Sequence, residues 1–120
     1  MGYPLHGHEL STTISPLEAC LNWVVKLNQP AEFVGKGALK AQASVGPKRF
    51  LRALIVDDRR IARQGYRVMT ADKTVIGEIT SGTMSPHVAA PIALAFIEKN
   101  SASLDRLFVE VRESLVPARV

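Results

Sequence analysis

The chain has 120 residues, 47% hydrophobic and 22% charged, with seven prolines, eight glycines, one cysteine and a formal net charge of +4. This composition suits one ordinary globular domain, or two small packed pieces of one, and excludes fibrous, low-complexity and disulfide-knotted classes. The longest nearly apolar run, Val88 to Ile97, is interrupted by Pro91 and falls well short of the roughly 20 residues of a membrane helix, so no membrane partner is expected. The opening residues carry no basic and apolar leader, and His6 stands where a myristoylation signal requires Ser or Thr. The lone Cys20 points to a reducing compartment, cytoplasmic or, in a eukaryote, the mitochondrial matrix.

In chain order, Tyr3 to Leu10 is too rich in Pro, Gly and His for a helix and is expected to be extended. Ser15, Pro16 and Glu18 have the spacing of a capping box with proline in the first helical position, so a short helix is expected there. Leu21 to Leu27 alternates in the manner of a strand. After Asn28-Gln29-Pro30, the segment Phe33 to Ala43 places Ala38, Leu39 and Ala43 at helical spacing, with Lys36, Lys40 and Gln42 toward water. Gly46-Pro47 ends it and divides the chain into residues 1–47 and 48–120. Beyond the break, Phe50–Val56, Tyr66–Thr70, Thr74–Thr80, Ile92–Ile97, Leu107–Arg112 and Leu115–Val120 are expected as short strands, with Ala71-Asp72-Lys73 as a hairpin connection. The fold class is therefore α+β: a short helix-bearing α+β segment followed by a small antiparallel β-barrel or jelly-roll-like domain.

The charge is uneven. Residues 48–70 hold seven basic side chains against two acidic ones, while the flanking stretches are close to balance. Within this stretch Arg59, Arg60 and Arg63 surround Ile61-Ala62 just before Gly65-Tyr66. Guanidinium groups offer a planar fork to carboxylate or phosphate, which suggests an acidic partner; the plainer alternative is a solvated connector beside a strand. Three guanidiniums this close together require a nearby anion or carboxylate. Nucleic acid is not expected as a partner, because Phe50 and Tyr66 are the only aromatics nearby and no stacking motif is present.

Two other clusters carry polar chemistry. His6-Gly7-His8 would place two imidazoles on one face of an extended segment, and Glu9 or His87 could complete a metal site. Two histidines without a third ligand at a recognisable spacing favour a surface or interface pair, so no metal is expected. Ile79 to Pro86 gathers Thr80, Ser81, Gly82, Thr83 and Ser85 at the end of a strand. It reads either as a loop that brings hydroxyls and amides to a ligand or as a tight loop that shapes the barrel. No base motif accompanies these serines. Cys20 is expected to be a buried small residue.

Taken in order, four stretches of the chain resemble the C-terminal part of the glycine cleavage system T-protein family, the aminomethyltransferases. They are Gly2 to Leu10 with Thr13 to Ala19; Trp23 to Leu27 with Phe33 to Leu39; Arg60 to Tyr66; and Gly77 to Pro86. The resemblance implies that residues 1–47 are the end of the central folate-binding domain and that residues 48–120 are the C-terminal β-barrel domain. It also implies transfer of a one-carbon unit from an aminomethyl group on a lipoyl arm to tetrahydrofolate, with release of ammonia. The expected partners are a lipoylated H-protein carrier and the N-terminal T-protein domains, and the catalytic aspartate would lie in those domains. No catalytic residue is thus expected within this chain, which alone would be inactive and prone to self-association. By the same resemblance Arg63 would face the lipoyl arm and its acidic carrier, and His6 would stand where a tyrosine lines the folate side. Arg59 and Arg60 would share the rim, while Ser81, Gly82, Thr83 and Ser85 would shape a domain interface. The sequence departs from the family at His87-Val88-Ala89, where Thr-Leu-Gly is usual. Related folate-dependent demethylases and sarcosine-type enzymes share this architecture, and a non-enzymatic basic binding module is the reading outside the family.

Overall fold

The computed structural model describes residues 2–120. One helix, α1 (Lys36–Val45), precedes six strands: β1 (Arg49–Val56), β2 (Arg67–Met69), β3 (Val75–Ser85), β4 (Ala90–Glu98), β5 (Arg106–Val111) and β6 (Ser114–Arg119). The strands are antiparallel and close into a barrel in the order β1-β4-β3-β2-β5-β6. Inward-facing side chains follow the two-residue period of each strand. Leu54, Ile79, Ile97 and Leu107 are fully buried in the barrel core, each worth about 1.5–3 kcal/mol relative to exposure.

The barrel half of the expectation is met closely, with one difference. Strand β3 runs on through Ser81, Gly82 and Thr83 to Ser85, so the hydroxyl-rich stretch is strand and not loop. It stays paired with β4 as far as Ser85↔Ala90, and a bulge interrupts the register between Ile79 and Ser81. Gly82 is required here because a Cβ would lie 2.1 Å from the Ala62 carbonyl oxygen. The loop after β1 thus presses its backbone directly onto β3. In the tight β3–β4 connection Ala89 takes a left-handed conformation (φ 53°), a backbone that glycine adopts with less strain.

Before the barrel, four local expectations change. Leu5 to Leu10 is a tight turn and not extended chain, with Leu5 O accepting from the amides of His8 (3.1 Å), Glu9 (3.0 Å) and Leu10 (3.1 Å). Ser15 and Glu18 do form the reciprocal capping bonds, from Ser15 N to Glu18 Oε2 (2.9 Å) and from Glu18 N to Ser15 Oγ (3.2 Å). These bonds close a single turn and not a helix, however, because Cys20 adopts φ 58°. The amides of Leu21 and Cys20 then bond back to Pro16 O and Leu17 O, the paired bonds of a Schellman ending. Leu21 to Leu27 is a run of turns and not a strand. Its alternation finds no partner strand among the described residues, which leaves Trp23 and Val24 exposed.

Helix α1 also turns its stripe the other way. Lys36 is buried (4% exposed), and Leu39 and Gln42 lie on the same side, while Ala38 and Ala43 face water. The Lys36 ammonium donates to Gln29 O (2.7 Å), Ala31 O (2.9 Å) and Glu32 Oε1 (3.1 Å). A buried charge is tolerable only with such a full set of partners. Lys36 therefore organises the Gln29–Glu32 loop.

Two glycines should respond oppositely to alanine. Gly82→Ala should lose about 3 kcal/mol through the clash with Ala62. Gly37→Ala, in α1 with open space around it, should gain about 0.5–1 kcal/mol. Urea unfolding of the two variants beside the parent chain checks both signs.

Candidate functional site

Glu9 joins the N-terminal segment to the barrel. It is 1% exposed and accepts hydrogen bonds from Leu5 N (2.9 Å), Thr80 Oγ1 (2.5 Å) and Ser81 Oγ (2.7 Å). Consecutive strand residues normally point to opposite faces. The bulge after Ile79 lets Thr80 and Ser81 reach the same carboxylate oxygen. Next to this contact, the His8 Nδ1 lies 3.2 Å from Thr80 O. Burial pushes the Glu9 pKa up, but the donors from Thr80, Leu5 and Ser81 outweigh it and hold the carboxyl below its ordinary range.

A second clamp lies on the same outer sheet face. Glu18 Oε1 accepts from Arg49 Nε (2.8 Å), and Glu18 O accepts from Leu51 N (2.9 Å). The Arg49 guanidinium sits 4.6 Å above the centre of the Phe96 ring, a cation–π contact. Burial raises the Glu18 pKa, yet the Ser15 amide and the Arg49 guanidinium bring it below the usual range. Residues 5–20 thus form a strap tied to β3 through Glu9 and to β1 through Glu18.

Beyond the strap the outer face of β1, β4 and β3 opens into a groove of about 760 Å³. Ala53, Ile55, Ile92 and Leu94 are part of its apolar lining, together with Tyr3, Ser81, Gly82, Thr83, Ser85 and His87. The four candidate residues of β3 therefore do converge, but with different tasks. Ser81 holds Glu9 and Gly82 admits Ala62; Ser85 Oγ accepts from Val88 N (3.3 Å) in the turn. Thr83 is exposed. Neither His6 nor Arg63 lines this groove.

The basic loop is organised by its own acid. Asp58 accepts from Arg59 N (2.6 Å), Arg60 N (2.9 Å) and the Arg60 side chain, at 3.1 Å from Nε and 2.7 Å from Nη2. The Arg60 guanidinium and these amides hold the Asp58 carboxyl far below the usual carboxylate range. This supplies the counter-charge that three crowded arginines need. Arg59 and Arg63 are exposed, and no carboxylate among the described residues forms an ion pair with either. Ala62 between them is buried as the anchor of the loop.

One further sequence expectation needs correction. Cys20 is exposed, with its Sγ 3.4 Å from Leu51 O, because the left-handed turn swings it out of the core. The His6-Gly7-His8-Glu9 run does not gather ligands: His6 is exposed, His8 faces Thr80 O, and Glu9 is consumed by its three donors. Among the described residues no group of three or more His, Cys, Asp or Glu side chains converges. Sequence reasoning missed Glu9 and Arg49 as anchors, whose partners on the far side of each tie lie 31 to 72 residues away.

Because the folded pKa of Glu9 lies below its unfolded value, its stabilisation is present at neutral pH and is lost as the pH falls through the folded value. At pH 7, Glu9→Gln should cost about 2–4 kcal/mol, the worth of charge-assisted bonds from buried donors. Urea unfolding should show the gap between parent and variant closing below the ordinary carboxylate range. A gap that stays constant down to pH 3 would show that the charge is not its source.

Residues 48–120 match the family described as the glycine cleavage T-protein C-terminal barrel domain. The whole chain is similar to the aminomethyltransferase of Chlorobaculum parvum, at 41% identity over 100% of this chain and 33% of that protein. It is 43% identical to that of Saccharopolyspora erythraea over 99% of this chain, again 33% of the relative. The fold superposes on the crystal structure of glycine cleavage system aminomethyltransferase T from Bartonella henselae with a TM-score of 0.91, at 27% identity, covering 99% of this chain and 34% of that one. This chain thus spans about a third of the length of the relatives it matches. It belongs to the glycine cleavage T-protein family, whose C-terminal barrel domain it carries.

Proposed function

We propose that this chain serves as the C-terminal part of a tetrahydrofolate-dependent aminomethyltransferase. The reaction class is transfer of a one-carbon unit from an aminomethyl-lipoyl carrier protein to tetrahydrofolate, with release of ammonia. The observation that carries this reading is the similarity of the whole chain to proteins named aminomethyltransferase. Residues 1–47 would be the end of the folate-binding domain and residues 48–120 the barrel that docks the carrier. The setting is the cytoplasm, or the mitochondrial matrix in a eukaryote.

The residues present do not by themselves fit a folate. No Lys or Arg lines the apolar groove to meet the carboxylates of the folate tail, and His6 lies outside it. The chain would supply one wall of such a site, with the catalytic carboxylate carried by the preceding domains, and no chemical step is assigned to its own residues. Its own contribution is electrostatic. With Arg60 neutralised by Asp58, Arg59 and Arg63 are the cations of the loop available to an acidic, lipoylated carrier.

Titration of the chain with lipoylated carrier protein, followed by two-dimensional NMR, should move signals from Arg59 to Tyr66. Arg63→Ala should weaken the interaction, with a smaller salt dependence than the parent, because exposed charges are screened beyond about 10 Å at 0.1 M salt. Well-dispersed signals that do not move would reject carrier docking by the barrel alone.

The chain alone should show no turnover. A polypeptide in which it replaces the corresponding third of the Chlorobaculum parvum enzyme should be active. A folded but inactive hybrid, tested with lipoylated carrier and tetrahydrofolate, would favour the related demethylase reading, which a panel of N-methylated substrates would then examine.

A further inference from the structure

We propose that a small cavity between the strap and the outer face of the barrel binds a zwitterion, an α-amino acid with a short side chain. The inference is independent of the reaction proposed above. The cavity shares no lining residue with the apolar groove. It holds about 140 Å³, room for about four or five waters or an organic molecule of similar bulk.

The strand register sets two opposite charges on either side of an aromatic ring. Side chains directly opposite across an antiparallel pair share a face. Leu51↔Phe96↔Glu78 is one outward row, running from β1 across β4 to β3. Phe96 is buried in the middle of it. From the β1 side Arg49 places its guanidinium 4.6 Å above the centre of the ring. Glu78 stands on β3, on the other side. The backbones of β1 and β3 are two strand spacings apart, about 10 Å, and the two side chains form no ion pair. Arg67, opposite Glu78 on β2, turns instead toward Glu110 (3.9 Å). Glu78 thus keeps an unpaired carboxylate among the described residues. Arg49 commits its Nε to Glu18 (2.8 Å), which leaves the two Nη groups for a ligand.

The strap and the loop after β1 complete the lining. His8 and Ile14 come from the strap and Gln64 from the loop. The His8 Nδ1 lies 3.2 Å from Thr80 O. A carbonyl oxygen only accepts, so Nδ1 carries the proton and the neutral ring keeps Nε2 as an acceptor.

This division of charge selects the ligand. A lone anion drawn to Arg49 would also meet Glu78, and a lone cation drawn to Glu78 would meet Arg49. A molecule with a carboxylate and an ammonium on one carbon satisfies both. Its carboxylate accepts from the Arg49 Nη groups, while its ammonium donates to Glu78 and to the His8 Nε2. The Gln64 amide, both donor and acceptor, can serve either end. With charge-assisted bonds of about 2.8 Å at each end, such a ligand fills the few ångströms left between the two side chains. A short aliphatic side chain fits between Phe96 and Ile14, and a bulky one does not.

The test is a titration of the chain with alanine, followed by two-dimensional NMR. Saturable shifts should appear at His8, at Glu78 and at the Gln64 side-chain amide, and not at Ile92 or Leu94 in the groove. Propionate lacks the ammonium and alaninamide lacks the carboxylate, so each should bind about tenfold more weakly or worse. Glu78→Gln alters an exposed position outside every ion pair of the described residues. It should keep the parent spectrum and lose affinity for alanine by a similar factor. Propionate binding as tightly as alanine would overturn the proposal in favour of a simple anion site at Arg49. Equal binding of tryptophan, unchanged affinity in the Glu78→Gln chain, or no saturable shift at all would overturn it outright.

Discussion

The carboxylate of Glu9 sits where the N-terminal strap meets β3, and the relation between strap and barrel depends on it. Removing an ionised carboxylate from water is costly unless donors replace the lost hydration. Here those donors are an amide of the strap and two hydroxyls of β3. The hydroxyls can act together only because the bulge breaks the alternation of the strand at Thr80. A defect in the sheet and a buried charge are thus two halves of one arrangement. It fixes the register of residues 5–14 on the barrel, and with it the position of Gly2 and Tyr3 beside the groove.

The barrel was legible in the sequence because its signals are local. Runs such as Phe50–Val56 and Ile92–Ile97 carry β-branched and aliphatic residues between turn residues, and both are strands in the structure, where they pair antiparallel. The end of β3 was not legible, since Ser, Gly and Thr in succession signal a loop. Only the neighbouring strand and the backbone of Ala62 keep that stretch extended. The segment before the barrel misled for a related reason. Alternation over Leu21–Leu27 describes a strand only if another strand pairs with it, and Lys36 looks solvent-facing until the carbonyl groups that receive it are in place. Of the candidate site, the Arg loop and the hydroxyl cluster were visible as compositions. Their division of labour was not, because it rests on Asp58 pairing with one arginine and not its neighbours, and on Glu9 engaging Ser81 but not Thr83.

Two kinds of surface emerge on one small scaffold. The loop after β1 displays cations whose reach extends into solvent, which suits encounter with a mobile acidic partner. The face of β1, β4 and β3 displays Ala53, Ile55, Ile92 and Leu94, an apolar surface of the kind found at the core of protein interfaces. Ala62 links the two mechanically, since the loop that bears Arg59 and Arg63 rests on Gly82 in the groove wall.

The way the barrel closes has a consequence for how it opens. Strands β5 and β6 pair with each other at six positions, but β6 meets β1 at only two (Ile55↔Arg119 and Val56↔Ala118), and β5 meets β2 at only two (Val68↔Val109 and Met69↔Phe108). The barrel is therefore a four-stranded sheet closed by a two-stranded stave held along two short seams. Local unfolding follows the weakest cooperative boundary, so the β5–β6 stave is the unit that detaches first, carrying Leu107, Val109 and Val116 out of the core. The groove lies on the continuously paired strands β1, β4 and β3 but borders this seam, since Ile55, the partner of Arg119, and Val120 both line it. Breathing of the barrel thus reaches the rim of the groove at Ile55 and Val120, while the strap stays tied to β3 through Glu9 and to β1 through Glu18.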